Sequence, residues 1–256
     1  MPVTIPSPLL SAAQIESLGP VRLLYIPGGD ESPAKATVVP IKDWVARAME
    51  STSGFDDLAF WQEELAKLGV GPDAPAVVAD DGRMTEAARV WFILQYFGLP
   101  AAVLNGGIAA LAGKDIVTAP PQEPPVLRPG AGPVGLTDRE NLKRDLESVQ
   151  VFDARTAAEF RGEDLKGNAR GGHLPGAAQL AHSDLLQGSF LRTAPELAAL
   201  IAQAGIDGSR PVVTHCNGGG RAALAALAAV MAGQNRVGVY YLSFADWAAD
   251  ESCPIQ

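Results

Sequence analysis

The stretch PVVTHCNGGGRAA, residues 211–223, holds the residue types best suited to chemistry in this sequence. A β-branched run ends at Thr214, Cys216 follows, and three consecutive glycines lead into an alanine-rich helical pattern that begins at Arg221. Ligand sites of parallel α/β sheets lie at the carboxyl ends of strands, where Cys216 is expected. Glycines let successive N–H groups turn inward as an anion nest, and the helix N-terminus adds partial positive charge. The pattern predicts a nucleophilic cysteine that loses its proton readily.

Arg221 adds a full positive charge and a planar fork of donors at the same point. We expect its guanidinium to fold over the nest and to face the anionic end of a substrate. As a surface-loop residue, Arg221 should contribute less than about 0.5 kcal/mol to stability. The loop residues predicted to bind the substrate are Asn217, Gly218, Gly219, Gly220 and Arg221.

Three other interpretations of this loop are weaker. A free cysteine is often a small buried hydrophobe, but that does not explain the neighbouring glycines and arginine. A phosphate-binding loop would need a Lys-Ser/Thr pair or GxGxxG spacing, and neither is present. A metal site would need a second ligand pair beside His215 and Cys216. We therefore expect neither metal nor cofactor.

The second half of the chain alternates between strand and helix patterns. We predict strands at 149–153, 211–214 and 237–242, and helices at 194–204 and 221–232. Strands separated by helices imply a parallel sheet covered on both faces.

A proline-rich segment divides the chain. Residues 120–133, PPQEPPVLRPGAGP, hold six prolines in fourteen positions. Proline fixes φ and removes a donor, so this segment should be an extended, semi-rigid linker. The predicted organisation is a domain at 1–118, a linker at 119–133 and a second domain at 134–256.

The two halves resemble each other at one offset. Moving the first half by 136 positions places 76–78 on 212–214, 91–97 on 227–233, and 103–111 on 239–247. A single offset that fits a strand, a helix and a second strand favours a duplication. The alternative is that any two α/β domains of this size space their strands and helices similarly. Asp80 then falls on Cys216, so the repeat is structural and the chemistry is not duplicated.

Composition excludes several classes of protein. The chain of 256 residues is 47% hydrophobic and 19% charged, which supplies a core and argues against disorder. A net charge of −9 without a basic face argues against nucleic acid as a partner. No apolar run is long enough for a membrane span, and no basic segment indicates a secretory signal. Two cysteines cannot form a disulfide framework, so a cytoplasmic location is expected.

Several further motifs accompany the loop at 216–221. They are GHLPGA at 172–177, Asp153-Ala154-Arg155 with EFRG at 159–162, Asp246-Trp247, Asp80-Asp81-Gly82 and NGG at 105–107. Together they make the chain similar to the tandem-domain rhodaneses, which are thiosulfate and 3-mercaptopyruvate sulfurtransferases. GHLPGA resembles the GHIPGA signature of that family, residues 216–221 its six-residue active loop, Asp246-Trp247 its terminal tryptophan motif, and Asp80-Asp81-Gly82 the loop of its inactive domains.

The resemblance implies an α/β fold of two rhodanese-like domains, each a parallel sheet flanked by helices, with the first domain inactive. It also implies that Cys216 takes the outer sulfur of a small anionic donor, becomes a persulfide and passes the sulfur to a thiol or cyanide acceptor, thioredoxin-like proteins among them. Arg161 and Arg170 are expected to approach the donor. Related phosphatases carry one more residue between cysteine and arginine, so this loop favours sulfur over phosphate.

The sequence departs from the family pattern in ways that leave the donor open. Mercaptopyruvate enzymes carry serine at the position of Gly218 and arginine at the position of Glu159. The shorter loop before His173 makes Arg170 only loosely comparable to the second substrate arginine. Thiosulfate enzymes often carry extra cations in the loop, whereas here only Arg221 is present. Thiosulfate is the first expectation, with 3-mercaptopyruvate second, and a non-catalytic sulfur-carrier or regulatory module is the alternative function.

Structural roles are expected for several residues near these motifs. They are an ion pair of Asp153 with Arg155, a loop-supporting His173, a His215 side chain that points away from the nucleophile, and a tail cysteine at 253.

Overall fold

The structure is a computed structural model that describes residues 5–28, 33 and 35–256. The chain divides into two compact units, with the boundary between Pro133 and Val134. Two short segments are exceptions, because 52–54 is assigned to the second unit and 188–190 to the first. Each unit contains its own five-stranded sheet. None of the helices in the described part of the chain is long and apolar enough to cross a membrane.

The first unit is built on a parallel sheet with the strand order β1-β5-β4-β2-β3. Its elements are β1 (Leu9–Leu10), α1 (Ala12–Leu18), β2 (Arg22–Tyr25), β3 (Thr37–Val38), α2 (Ile41–Met49), α3 (Leu58–Lys67), β4 (Ala76–Ala79), α4 (Thr85–Tyr96), β5 (Ala101–Leu104) and a 3-10 helix (Ile108–Leu111). Strands β4 and β5 are buried along their whole length, as expected for a parallel sheet covered on both faces.

The elements after residue 133 form a second parallel sheet with the order β6-β12-β11-β7-β8. They are β6 (Val134–Thr137), α5 (Arg139–Asp145), β7 (Gln150–Asp153), α6 (Ala157–Phe160), β8 (Ala178–Gln179), a 3-10 helix (His182–Leu185), β9 (Leu186–Gln187), β10 (Phe190–Leu191), α7 (Ala194–Gln203), β11 (Val212–His215), α8 (Gly220–Met231), β12 (Val237–Tyr240) and α9 (Ser243–Ala249). Strands β9 and β10 pair with each other. The α/β class and the parallel sheets predicted from sequence are confirmed.

Both sheets place corresponding strands in the same order. The offset of 136 relates β4 to β11 and β5 to β12, whereas α4 and α8 start 135 positions apart. The predicted offset of 136 is therefore correct for these two pairs of strands and one residue too large for the helix pair. The reason is that the loop before α4 is one residue longer than the loop before α8.

The proline-rich segment forms neither helix nor strand between 119 and 133. It is bonded to the first unit and is not a free spacer. The Gln122 N–H donates to Gly69 O (3.1 Å), Arg128 N–H donates to Phe97 O (3.0 Å), and Gln62 donates to Pro125 O (2.6 Å).

Candidate active site

Cys216 directly follows β11, at the carboxyl end of a central strand. Its side chain is buried, and its Sγ accepts a hydrogen bond from the Gly219 N–H (3.1 Å). Gly219 has φ +93°, a conformation that favours glycine, and α8 begins at the next residue. Thr214 Oγ1 donates to Ala222 O (2.9 Å) and so ties the strand to the helix across the loop. The thiol thus lies at a helix N-terminus, as the sequence predicts.

The first turn of α9 holds the other side of the loop. Phe244 N–H donates to Cys216 O (3.0 Å), and Ala245 N–H donates to Asn217 O (3.2 Å). In a planar trans peptide the N–H points opposite to the C=O, so the Asn217 and Gly218 N–H groups point away from α9. The helix therefore fixes the orientation of two loop peptides.

Ser243, the first residue of α9, contacts the nucleophile directly and was not singled out from the sequence. Its buried hydroxyl accepts the Cys216 N–H (3.1 Å), donates to Tyr240 O (2.9 Å) and lies 3.8 Å from Cys216 Sγ. One hydroxyl proton serves either Tyr240 O or the sulfur. Ser243 has φ +62°, a strained conformation for a residue with a Cβ, and such strain concentrates at functional sites.

Ser243→Ala is expected to weaken both the fold and the site. It leaves two buried backbone groups, Cys216 N–H and Tyr240 C=O, without this partner, which costs about 1–3 kcal/mol. A loss of about 1.4 kcal/mol in the transition state lowers kcat/KM about tenfold. Urea unfolding measures the loss of stability, and steady-state kinetics measures the loss in kcat/KM. The control is Ser148→Ala, at an exposed serine. Unchanged kinetics in Ser243→Ala contradicts the role in the site.

Arg221 does not present an open fork to the loop. Its Nη1 donates to Glu159 Oε2 (2.7 Å) and its Nη2 donates to Glu159 Oε1 (2.8 Å). Glu159 is itself held in a capping box, because its Oε2 also accepts the Thr156 N–H (3.1 Å) and hydroxyl (3.0 Å). The two-pronged contact and the capping box leave the carboxylate little freedom to rotate away.

The electrostatics of this pair favour both charges. Burial by itself raises the pKa of Glu159, but hydrogen bonds from Arg221 and Thr156 outweigh it and lower that pKa to about 2. Burial by itself lowers the pKa of Arg221, but the Glu159 carboxylate and the neighbouring Cys216 raise it above its ordinary value. The Arg221 side chain is 20% exposed and that of Glu159 is 1% exposed. The expectation that Arg221 is a free surface-loop residue is therefore wrong, and its pairing with buried Glu159 predicts a larger effect on stability than that expectation gave.

The family comparison can now be set beside this geometry. The Rhodanese-like domain family matches residues 138–250. The thiosulfate sulfurtransferase of Azotobacter vinelandii is 31% identical over 201 residues, which cover 74% of this chain and 72% of that protein. This chain belongs to the rhodanese family of sulfurtransferases. The resemblance read from the motifs is confirmed.

Further proteins are similar in sequence or in fold. The 3-mercaptopyruvate sulfurtransferase of Escherichia coli K12 is 29% identical over 201 residues, covering 75% of this chain and 71% of that protein. In fold, the crystal structure of SseA from E. coli matches with a TM-score of 0.69 at 21% identity, covering 93% of this chain and 99% of that one. The sulfur transferase subunit of yeast mitochondrial complex I matches with a TM-score of 0.75 at 23% identity, covering 98% of each chain.

The two arginines expected to approach the donor of this rhodanese are engaged elsewhere. Arg161 is exposed and forms a two-pronged pair with Glu163 (2.7 and 2.8 Å). Arg170 donates to the carbonyl oxygens of Trp247, Ala248, Asp250 and Cys253. Carbonyl groups at the end of a helix lack helical partners, so Arg170 caps α9. Among the described residues, no hydrogen bond or ion pair joins either arginine to the Cys216 loop.

The remaining loop residues predicted to bind the donor are Asn217, Gly218 and Gly220. Asn217 Oδ1 accepts a hydrogen bond from Asn168 Nδ2 (2.7 Å), and Gly220 is the buried first residue of α8. A Cβ added at Gly218 would meet nothing within 4 Å, so the serine of mercaptopyruvate enzymes would fit there. In the described part of the chain, no three His, Cys, Asp or Glu side chains converge as metal ligands.

A buried polar cluster supports the strand ends beneath the loop. Arg155 pairs with Asp153 (2.6 Å), donates to Gly172 O (2.9 Å) and lies over the Phe244 ring at 3.9 Å, so the predicted ion pair is confirmed. His215 is fully buried, and burial lowers its pKa, so its imidazole is neutral. These groups position α9 and the end of β11.

His173 has the structural role expected for it. Its ring stacks on Phe160 at 3.7 Å, and its Nδ1 lies 3.0 Å from Phe160 O. Its backbone N–H donates to Gln256 O (2.9 Å), so the residue links the GHLPGA loop to the C-terminus.

The corresponding loop of the first unit is occupied by its own carboxylate. Asp80 accepts the N–H groups of Gly82 (2.9 Å), Met84 (3.0 Å) and Ala87 (3.2 Å). The Asp80 side chain therefore takes the donors that an anion would otherwise use. That the first half carries no chemistry stays a prediction.

Proposed function

We propose that this rhodanese moves a sulfane sulfur from thiosulfate, or from a related donor such as 3-mercaptopyruvate, to a thiophilic acceptor through a persulfide on Cys216. The observation that carries the proposal is the contact of Cys216 Sγ with the Gly219 N–H at the start of α8. A thiolate is stabilised by backbone N–H groups and by a helix N-terminus. The reaction requires no cofactor or metal.

The chemistry proceeds in two displacements. Cys216 thiolate attacks the outer sulfur of thiosulfate, the sulfur–sulfur bond of the donor breaks, and sulfite leaves with the electron pair. The acceptor then attacks the outer sulfur of the persulfide, and the electron pair of the broken bond returns to Cys216 Sγ. The Gly219 N–H and the Ser243 hydroxyl, 3.8 Å from the sulfur, are placed to stabilise the charge on sulfur in both steps.

Thiosulfate is preferred over 3-mercaptopyruvate as the donor. Gly218 offers no hydroxyl where mercaptopyruvate enzymes carry serine, and Glu159 brings a negative charge where they carry arginine. A relative named as a thiosulfate sulfurtransferase is 31% identical, and one named as a 3-mercaptopyruvate sulfurtransferase is 29% identical. Sequence identity therefore does not discriminate between the two donors. Gly218 in the loop and Glu159 in α6 therefore carry this preference.

The proposal extends to partners and location. The acceptor is cyanide in an assay and a thiol in the cell, with a thioredoxin-like protein as one candidate. A cytoplasmic location belongs to the same proposal, because a reactive thiol stays reduced in that compartment.

A non-catalytic sulfur carrier or regulatory module is the second candidate. It is favoured by the Glu159 carboxylate, which occupies both terminal nitrogens of Arg221 and leaves that cation neutralised. Such a module would hold sulfur or an anion without rapid turnover.

Intact mass after incubation with each donor tests the proposal. We expect thiosulfate to add one sulfur atom at Cys216, and cyanide to remove it with formation of one thiocyanate. Multiple turnovers in the coupled assay support the enzyme. Loading without turnover supports the sulfur carrier. No added sulfur with either thiosulfate or 3-mercaptopyruvate contradicts the enzyme and the sulfur carrier, and leaves only the regulatory module that binds an anion.

A further inference from the structure

His182, the first residue of the 3-10 helix after β8, lies at the same end of the sheet as Cys216, with the end of β7 between them. Its N–H donates to Ala154 O (3.1 Å), and the Ala154 N–H donates to His215 O (2.9 Å). Asp153 at the end of β7 pairs with His215 at the end of the neighbouring strand β11. Ala154 is the residue after Asp153, and Cys216 is the residue after His215. Adjacent strands lie about 4.8 Å apart, so the His182 backbone is about two strand spacings from Cys216 at the same sheet edge.

The imidazole of His182 is half-buried beside the Arg221–Glu159 pair. Its 3-10 helix packs against α8, and the ring interacts electrostatically with both Arg221 and Glu159. Its Nδ1 is buried and has no hydrogen-bond partner among the described residues. A buried unpaired nitrogen is rare and calls for an explanation.

In the other two histidines, Nδ1 lies within hydrogen-bond distance of a backbone carbonyl oxygen. Nδ1 of His173 lies 3.0 Å from Phe160 O, and Nδ1 of His215 lies 3.2 Å from Cys216 O. His173 and His215 are thus oriented by carbonyl groups at Nδ1, whereas His182 Nδ1 makes no such hydrogen bond among the described residues.

The charges around His182 suit a proton acceptor. Burial lowers its pKa, and the Arg221 guanidinium lowers it further, against the smaller opposing effects of the Ala154 backbone, Glu159 and Asp184. The imidazole is therefore unprotonated at neutral pH. A neutral imidazole is the most frequent general base in proteins.

We propose that His182 is a further catalytic residue, which takes the proton of a thiol acceptor as that thiol attacks the Cys216 persulfide. The inference rests on the proposed sulfur transfer. The acceptor S–H bond breaks, its proton moves to the imidazole, and its sulfur bonds to the outer sulfur. The persulfide bond breaks, the electron pair goes to Cys216 Sγ, and the proton passes from His182 to the new persulfide or to solvent.

A two-stage experiment separates this role from the loading step. Wild-type protein, His182→Phe and His182→Asn are loaded with thiosulfate and freed of excess donor, and the added sulfur is measured by intact mass. The loaded proteins are then mixed with 2-mercaptoethanol or with sulfite, and discharge is followed by quenched intact mass. Sulfite has no proton to lose at pH 8.5, so it reports the same displacement without a base. Ser183→Ala, an exposed change on the same 3-10 helix, is the control.

We expect discharge to 2-mercaptoethanol to slow about a hundredfold in both histidine variants, while discharge to sulfite stays within about twofold of wild type. The wild-type thiol rate should fall as acid protonates His182, and the variant rates should follow only the thiolate fraction of the acceptor. Equal slowing with both acceptors, or no slowing with either, overturns the proposal. A wild-type protein that takes up no sulfur counts against the proposed function itself and is distinguished at the first stage.

Discussion

Cys216→Ser is expected to lower thiosulfate:cyanide sulfur transfer by at least about a thousandfold. The serine hydroxyl stays protonated at neutral pH and forms no persulfide, so both displacements lose their nucleophile. The change is nearly isosteric, and the serine oxygen can still accept the Gly219 N–H. We therefore expect the free energy of unfolding to change little. Coupled thiocyanate formation and urea unfolding measure the two quantities.

Cys253→Ser is the matched control for this experiment. Cys253 is also buried, but its described hydrogen bonds are backbone contacts, with Asp250 O and with the Arg170 guanidinium. Its variant should keep its turnover and its capacity to take up one sulfur. Full turnover in Cys216→Ser, or its loss in Cys253→Ser, would falsify the assignment of the nucleophile.

Arg221→Ala is expected to lower both stability and activity. The buried Glu159 carboxylate loses both of its guanidinium contacts, and an unpaired buried charge costs about 3 kcal/mol. The value should be nearer about 2 kcal/mol, because the Arg221 side chain is 20% exposed. Loss of the cation next to Cys216 should also lower kcat/KM about tenfold to a hundredfold. Lysine should restore part of the activity, since it keeps the charge and loses the fork.

A second variant separates the two effects of Arg221. The double variant Arg221→Ala with Glu159→Gln removes the unpaired charge, so most of the stability should return while the activity stays low. Arg161→Ala is the matched control, because that arginine forms a similar pair with Glu163 at an exposed position and should alter neither quantity. Unchanged unfolding in Arg221→Ala, or a double variant as unstable as the single one, would show that Glu159 does not depend on Arg221.

The same pair predicts how acid affects the protein. Glu159 has a folded-state pKa of about 2, below its ordinary value of 4.5, so it binds a proton less readily folded than unfolded. Its contribution to stability is complete above pH 4.5 and is lost as the pH falls toward 2. Urea unfolding at intervals across this range should show a smaller acid dependence in Arg221→Ala than in wild type.

The nucleophile and its loop could be predicted from the sequence because they are local. Strand β11, Cys216, the glycines and the start of α8 follow one another within 212–231, and each depends on backbone conformation or helix geometry set by neighbouring residues. The predicted strands and helices of the second half agree with the structure to within about two residues for the same reason. The two-sheet organisation follows from the alternation of strands and helices and from the proline-rich segment.

The partners of the long side chains were decided by the tertiary structure. Arg221 and Glu159 are 62 residues apart, Ser243 follows Cys216 by 27, and Arg170 reaches carbonyl groups 77 to 83 residues away. The T-x-x-E pattern at Thr156 is a readable sign of the capping box that orients Glu159, but not of its contact with Arg221. Sequence patterns identify strands without saying which will be neighbours. The order β6-β12-β11-β7-β8 brings the ends of β7 and β11 together, and that adjacency determines which acceptors each arginine, serine and histidine can reach.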